Sequence, residues 1–245
     1  MKNNQFKQII HLTILLGIGL FLVACEKESG DSISSQLAYD PFDAIEIRTS
    51  ANVEIIYGEL QDIIVEGYEN RIKNIKNVVV NNTLIIDEED GSYINTFDNS
   101  INYYIYIPKI VSIDISGSAN VKVGDFEQKE NLKINVSGSG DIDLNSFSKT
   151  KNLTIDISGS GDVKGLANFD NINQLKVDIS GSGDFSAFPI EAQNIDINIS
   201  GSGNCNVTAT KNLKVIIAGS GNVSYKGFAV IDSMISGTGS IFNEN

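Results

Sequence analysis

Hydrophobic and polar positions alternate in short runs along most of this chain, and the runs are cut at regular intervals. In Leu132-Lys133-Ile134-Asn135-Val136 every second residue is apolar, the pattern of a strand with one buried face. Ser137-Gly138-Ser139-Gly140 ends the run; two glycines open backbone angles closed to other residues and predict a corner. Asp141 closes the corner, Ile142 and Leu144 resume the alternation, and Phe147 adds an apolar position before the next unit. The corner motif recurs, starting at Ser116, Ser137, Ser158, Ser180, Ser200, Ala218 and Ser236, in steps of 21, 21, 22, 20, 18 and 18 residues. A near-constant period of this kind marks a repeat architecture.

The apolar positions repeat with the corner. Leu132-Ile134-Val136 returns as Leu153-Ile155-Ile157, Leu175-Val177-Ile179, Ile195-Ile197-Ile199 and Leu213-Val215-Ile217. The position of Ile142 is taken by Val163, Phe185, Cys205, Val223 and Ile241, and Phe126, Phe147, Phe169 and Phe228 fall at similar offsets and could stack. One rung cannot bury these side chains, but stacked rungs can. The predicted fold is all-β: a right-handed parallel β-helix of about 20-residue rungs, with like residues in columns ~4.8 Å apart. A calcium-binding β-roll needs a nine-residue repeat, about half the period seen here. An antiparallel meander suits units with two strand segments less well. Cys205 occupies an inward column, which predicts a buried, unreactive thiol.

The N-terminal half follows the same plan in degenerate form. Ile45 to Ile55 matches Ile113 to Val123, sharing Ser-Ala-Asn-Val and the flanking alternation. The solenoid is therefore expected to start near Phe42, making 42–245 one domain. Asn81-Asn82 lies between apolar runs and predicts a tight turn, so antiparallel pairing or a cap is expected here. In Tyr103-Tyr104-Ile105-Tyr106-Ile107 the inward isoleucines leave Tyr104 and Tyr106 facing out. They are candidate contact residues, unless a neighbouring strand or cap covers them.

Composition and charge narrow the chemistry. The only histidine is His11, and there is no tryptophan. The formal net charge is −13, and losing Lys2 and Lys7 with residues 1–24 would make it −15. A chain this acidic does not bind nucleic acid by neutralising phosphates. Residues 1–24 combine a basic start, an apolar run from Ile9 to Val23 and a small residue at the boundary, the pattern of a secretory signal peptide. Leu22-Val23-Ala24-Cys25 resembles the bacterial lipoprotein box, which implies lipid attachment at Cys25 and a membrane anchor at the N-terminus. Residues 25–41 are polar and rich in small side chains, and are expected to form a flexible tether. The acidic start after Cys25 is similar to the surface-export signal of lipoproteins in Bacteroides- and Flavobacterium-like bacteria.

Phe42-Asp43-Ala44-Ile45, Val65-Glu66-Gly67-Tyr68-Glu69-Asn70, the strand ending Tyr106-Ile107-Pro108 and the Ser-Gly-Ser-Gly-Asp corners resemble the head GIN domain family of auto-transporter adhesins. The resemblance covers 42–245. It implies a β-helical fold and a place in the cell envelope, and it transfers no catalytic or binding residue. The expected protein is an outer-membrane lipoprotein, on the periplasmic or, preferentially, the cell-surface side. Its partners would be the membrane, through lipid, and a surface ligand such as a glycan or host matrix.

The corner positions hold Asn120, Asp141, Asp162, Asp184, Asn204, Asn222 and Ser240. In a coil, Asp141, Asp162 and Asp184 form a column that calcium could bridge or that hydrogen bonds could hold. The exchange of Asp for Asn favours hydrogen-bonded corners, so no cofactor and no other metal is expected. Arginine occurs only at Arg48 and Arg71, and no outward acid–base cluster stands out from the repeat. The chain is therefore not expected to be an enzyme. A structural envelope component is the alternative to an adhesin, and a polysaccharide-active enzyme is a more distant one.

Overall fold

The computed structural model describes residues 31–88, 101–129, 131–169 and 172–245. The first strands are β1 Ser32–Leu37, β2 Ala44–Ile47, β3 Asn52–Tyr57 and β4 Asp62–Tyr68, followed by the one-turn helix α1 Glu69–Ile72. Next come β5 Val78–Val80, β6 Thr83–Ile86, β7 Asn102–Ile107, β8 Ser112–Ile115, β9 Asn120–Val123 and β10 Phe126–Glu127. The repeat supplies β11 Leu132–Val136, β12 Asp141–Leu144, β13 Phe147–Ser148, β14 Asn152–Ile157, β15 Val163–Gly165 and β16 Ile172–Ile179. The chain ends with β17 Phe185–Ile199, β18 Cys205–Ile217, β19 Val223–Lys226, β20 Val230–Ile235 and β21 Ile241–Asn243.

These strands form a parallel β-helix, as the period predicts. One parallel stack runs β6, β2, β8, β11, β14, β16, the last halves of β17 and β18, then β20. The other runs β7, β3, β9, β12, β15, the first halves of β17 and β18, then β19 and β21. Register is kept from rung to rung, so alternate residues line up in columns. Leu84, Ile45, Ile113, Ile134, Ile155, Val177, Ile197 and Val215 form one buried column. Each such side chain contributes about 1.5–3 kcal/mol on leaving water, and a one-residue slip would expose a whole face.

The glycine corners have a different cause from the expected one. Among the described glycines only Gly227 takes a positive φ, +92°. The corner glycines are instead required by close stacking. A Cβ on Gly159 would lie 1.9 Å from the carbonyl oxygen of Gly138, and one on Gly161 would lie 1.9 Å from that of Gly140. The same Gly138 oxygen accepts a hydrogen bond from the Ser160 N–H at 3.0 Å. The corners therefore touch backbone to backbone, where only hydrogen fits.

The N-terminal end departs from chain order. The rung that begins at Phe42 is not terminal: β2 and β3 lie between the β6–β7 rung on one side and β8–β9 on the other. Pro108 to Val111 carries the chain back past this rung. Val111 N–H donates to Asp43 O at 2.7 Å, and Lys109 Nζ pairs with Asp43 Oδ2 at 2.9 Å. The expected cap is present: β4 runs antiparallel to β7, β1 to β4 and β5 to β6. Asn81 and Asn82 have φ of 50° and 61°, the left-handed pair of a tight hairpin turn.

Two further expectations are corrected. The tether does not run to residue 41, because Ser32–Leu37 is a strand in register with Ile63–Tyr68. Ile33 and Leu37 lie half-buried against the cap, and Gln36 Nε2 donates to Asp62 Oδ1 at 2.8 Å. The expected signal peptide at 1–24, the expected lipid site Cys25 and the first part of the expected tether lie outside the described residues. Phe126, Phe147 and Phe169 do stack, with ring centroids 5.3 and 5.2 Å apart, but Phe228 does not join them and is 93% exposed. The steps shorten from 22 to 20 to 18 residues after Phe169. The third side of the coil is then spanned directly by β17 and β18, which leaves Phe228 no ring to stack on.

Candidate functional site

The corner column is the first predicted site, and it is a hydrogen-bonded ladder. Asp162 N–H donates to Asp141 Oδ1 at 2.8 Å, Asp184 N–H to Asp162 Oδ1 at 2.9 Å, and Asn204 N–H to Asp184 Oδ1 at 2.6 Å. Asn222 and Ser240 continue it, each donating its N–H to the side chain of the preceding rung. Each side-chain oxygen thus satisfies the backbone of the next rung, a task Asn performs as well as Asp. Among the described residues no group of three or more His, Cys, Asp or Glu is placed to hold a metal ion.

The column reaches the N-terminal rungs, where it borders a concavity. Asn120 Nδ2 donates to Asn52 Oδ1 at 3.5 Å, and Asn52 Nδ2 to Asn102 Oδ1 at 2.9 Å. Beside this amide ladder the outer face of β7, β3 and β9 is hollowed into a concavity of ≈ 340 Å³. Its outward side chains are Asn52, Glu54, Asn102, Tyr104, Asn120 and Lys122. Register explains the grouping, since Tyr104 stands beside Glu54 and Glu54 beside Lys122. The site thus offers three amides, a carboxylate, an ammonium and a phenol on a rigid sheet, a set suited to hydroxyl-rich ligands.

Tyr104 and Tyr106 are both half-buried, because β7 is flanked by β3 and β4. Tyr104 enters the concavity and Tyr106 does not. The sequence did not bring Asn52, Asn102 and Asn120 together, although a signal existed. Ser100-Ile101-Asn102-Tyr103 has the same form as Ser50-Ala51-Asn52-Val53 and Ser118-Ala119-Asn120-Val121, and Asn102, Asn52 and Asn120 stand side by side on adjacent rungs.

The remaining perturbed groups belong to packing. Burial pushes the Cys205 thiol well above its ordinary value, with Asp184 adding to the effect. The thiol fills the column between Phe185 and Val223. Burial likewise raises Tyr103, whose hydroxyl and the Asn77 amide meet at 3.2 Å under the cap. Arg71 Nη2 pairs with Glu88 Oε1 at 2.6 Å nearby, with both side chains largely covered. On β16, in the other stack, burial alone would raise Asp178, but Lys176 and Asn198 hold it below its ordinary value. No helix among the described residues is long and apolar enough to cross a membrane.

Comparison with known proteins agrees with this architecture. The profile of the family described as "Putative auto-transporter adhesin, head GIN domain" matches residues 41–229. A solved "putative adhesin" from Bacteroides fragilis is 23% identical with a TM-score of 0.80, covering 87% of this chain and 97% of its own. A second from Parabacteroides merdae is 21% identical with a TM-score of 0.67, covering 88% and 97%. A "Putative lipid binding protein" from Parabacteroides distasonis is 22% identical with a TM-score of 0.64, covering 88% and 98%. At these identities the likeness is one of fold. No curated protein compared with the chain matches it.

Proposed function

The chain belongs to the head GIN domain family of auto-transporter adhesins, and from that premise we propose that it is a lipid-anchored module that binds ligands at the cell surface without turning them over. The carrying observation is the concavity on the outer face of β7, β3 and β9, with Tyr104 set among Asn52, Glu54, Asn102, Asn120 and Lys122. Neutral hydrogen-bonding groups outnumber charged ones there, and an aromatic edge is available for a sugar ring. A glycan is the ligand class that suits this set. The lipoprotein box at Cys25 supplies the anchor, and the acidic residues after it favour export to the outer leaflet.

Protease shaving of intact cells tests display, using an antibody against residues 42–245 and a periplasmic protein as control. Digestion of the head while the control survives supports surface exposure. Protection of the head would remove the adhesin reading. Tyr104→Ala is then expected to weaken retention on an immobilised glycan about tenfold or more, measured below the thermal midpoint of the variant.

A further inference from the structure

The two ends of the solenoid differ. The N-terminal end is closed by β1, β4 and β5. At the C-terminal end, β20 pairs only with β18 and β21 only with β19 among the described strands. Apolar side chains crowd this terminal rung: Phe228, Val230, Ile231, Met234, Ile235 and Phe242 are 93, 73, 39, 66, 44 and 48% exposed. Together they leave on the order of 600 Å² of apolar surface, near the ~800 Å² per partner of a standard interface. Sheet edges of this kind are templates for pairing with another strand.

The polar backbone of that edge is placed by the register. Ser236 N–H donates to Ile217 O, so alternation turns the N–H and C=O groups of Ile231, Ser233 and Ile235 to the free side. These three positions also face the core, in line with Leu213, Val215 and Ile217. Between Gly227 and Asn243 there is one charged residue, Asp232. The next is Glu244, at the far end of the same rung.

We propose that the C-terminal end docks a second copy of this chain, β20 against β20 in antiparallel register about a two-fold axis through Ser233. In that register Ile231 faces Ile235 of the partner and both copies extend one apolar core. Asp232 faces the partner's Met234, so the two carboxylates stand apart; a register centred on Asp232 would place them opposite one another. The Ser233 pair exchanges both backbone hydrogen bonds, as do the two Ile231–Ile235 pairs. The capped N-terminal ends point away from each other, so the assembly closes as a dimer rather than growing into a fibre. This inference is independent of the adhesion reading, and surface display can fail without affecting it.

Sedimentation of the full-length protein in mild detergent, corrected for bound detergent, tests it. A dimer with a dissociation constant in the micromolar range is expected. Met234→Asp places a carboxylate opposite Asp232 on both sides and should weaken the dimer tenfold or more. Met234→Lys places an ammonium there and should preserve it. Both substitutions are at an exposed position and leave folding intact. Ser233→Cys puts thiols across the axis with Cα atoms ~5.5 Å apart, within disulfide reach. Mild oxidation should give a covalent dimer that the parental chain, with Cys25 and Cys205, does not form. A monomer at all concentrations, equal loss in both Met234 variants, or cross-linking of Ser233→Cys only to a different protein on cells would each overturn the proposal.

Discussion

Asp162 shows how a residue type that can suggest a metal site serves the backbone of the next rung. Its Oδ1 accepts the N–H of Asp184, while its own N–H donates to Asp141. If this ladder is what the side chain is for, Asp162→Asn should lie within ~0.5 kcal/mol of the parent, since the amide oxygen accepts equally well and a repulsive charge is removed. Asp162→Ala should cost about 1 kcal/mol, because a stacked backbone N–H loses its acceptor. Urea midpoints of the two variants decide the matter; equal stability would sink the ladder. The exchange of Asp with Asn along the column made the hydrogen-bonding role legible in the sequence. Its direction was not legible, because the acceptor lies one rung away. The inward place of Cys205 was equally readable, since its column neighbours are apolar and at fixed spacing.

At the scale of the element, alternation and corner spacing were enough to place the two strands that flank each corner from β8 onward, though not the short β10 and β13. The reason for the glycines was not visible, since sequence cannot separate a need for unusual φ from a need for close contact. The contact reading predicts that Gly159→Ala costs roughly 3 kcal/mol, because its new methyl meets a carbonyl oxygen that already holds a hydrogen bond. Ser158→Ala, one residue earlier and exposed, should cost less than ~0.5 kcal/mol. Denaturant unfolding of the pair is the check, and similar losses would argue against stacking as the constraint. The cap was harder to read. In β1 the apolar positions are only Ile33 and Leu37, with Ser35 between them. The order of β6–β7 outside β2–β3 follows from which rungs stack best, and chain order carries no information on that. The concavity was lost with it, because its side chains come from three rungs whose adjacency the sequence leaves open.

For the whole molecule, stability is nearly a sum over rungs and their neighbours. Rungs with partners on both sides, such as those of β14 to β18, should exchange their backbone amides only through global unfolding. The end rungs should open more cheaply, and the two ends should differ. The N-terminal end has its cap, whereas at the other end Ile231, Ser233 and Ile235 turn their N–H groups to water in a single copy. Hydrogen exchange in dilute protein is therefore expected to be fast at these three amides. It should be slower at Val230, Asp232 and Met234, which donate to β18. Raising the concentration should slow the first three selectively, because an antiparallel β20 pair engages those amides and leaves the outer edge of β1 unchanged. Slowing at β1 to the same degree would mean that copies associate without regard to the end. Selective slowing would make the open rung the one place where this acidic solenoid accepts its own kind, with the capped end left free for attachment.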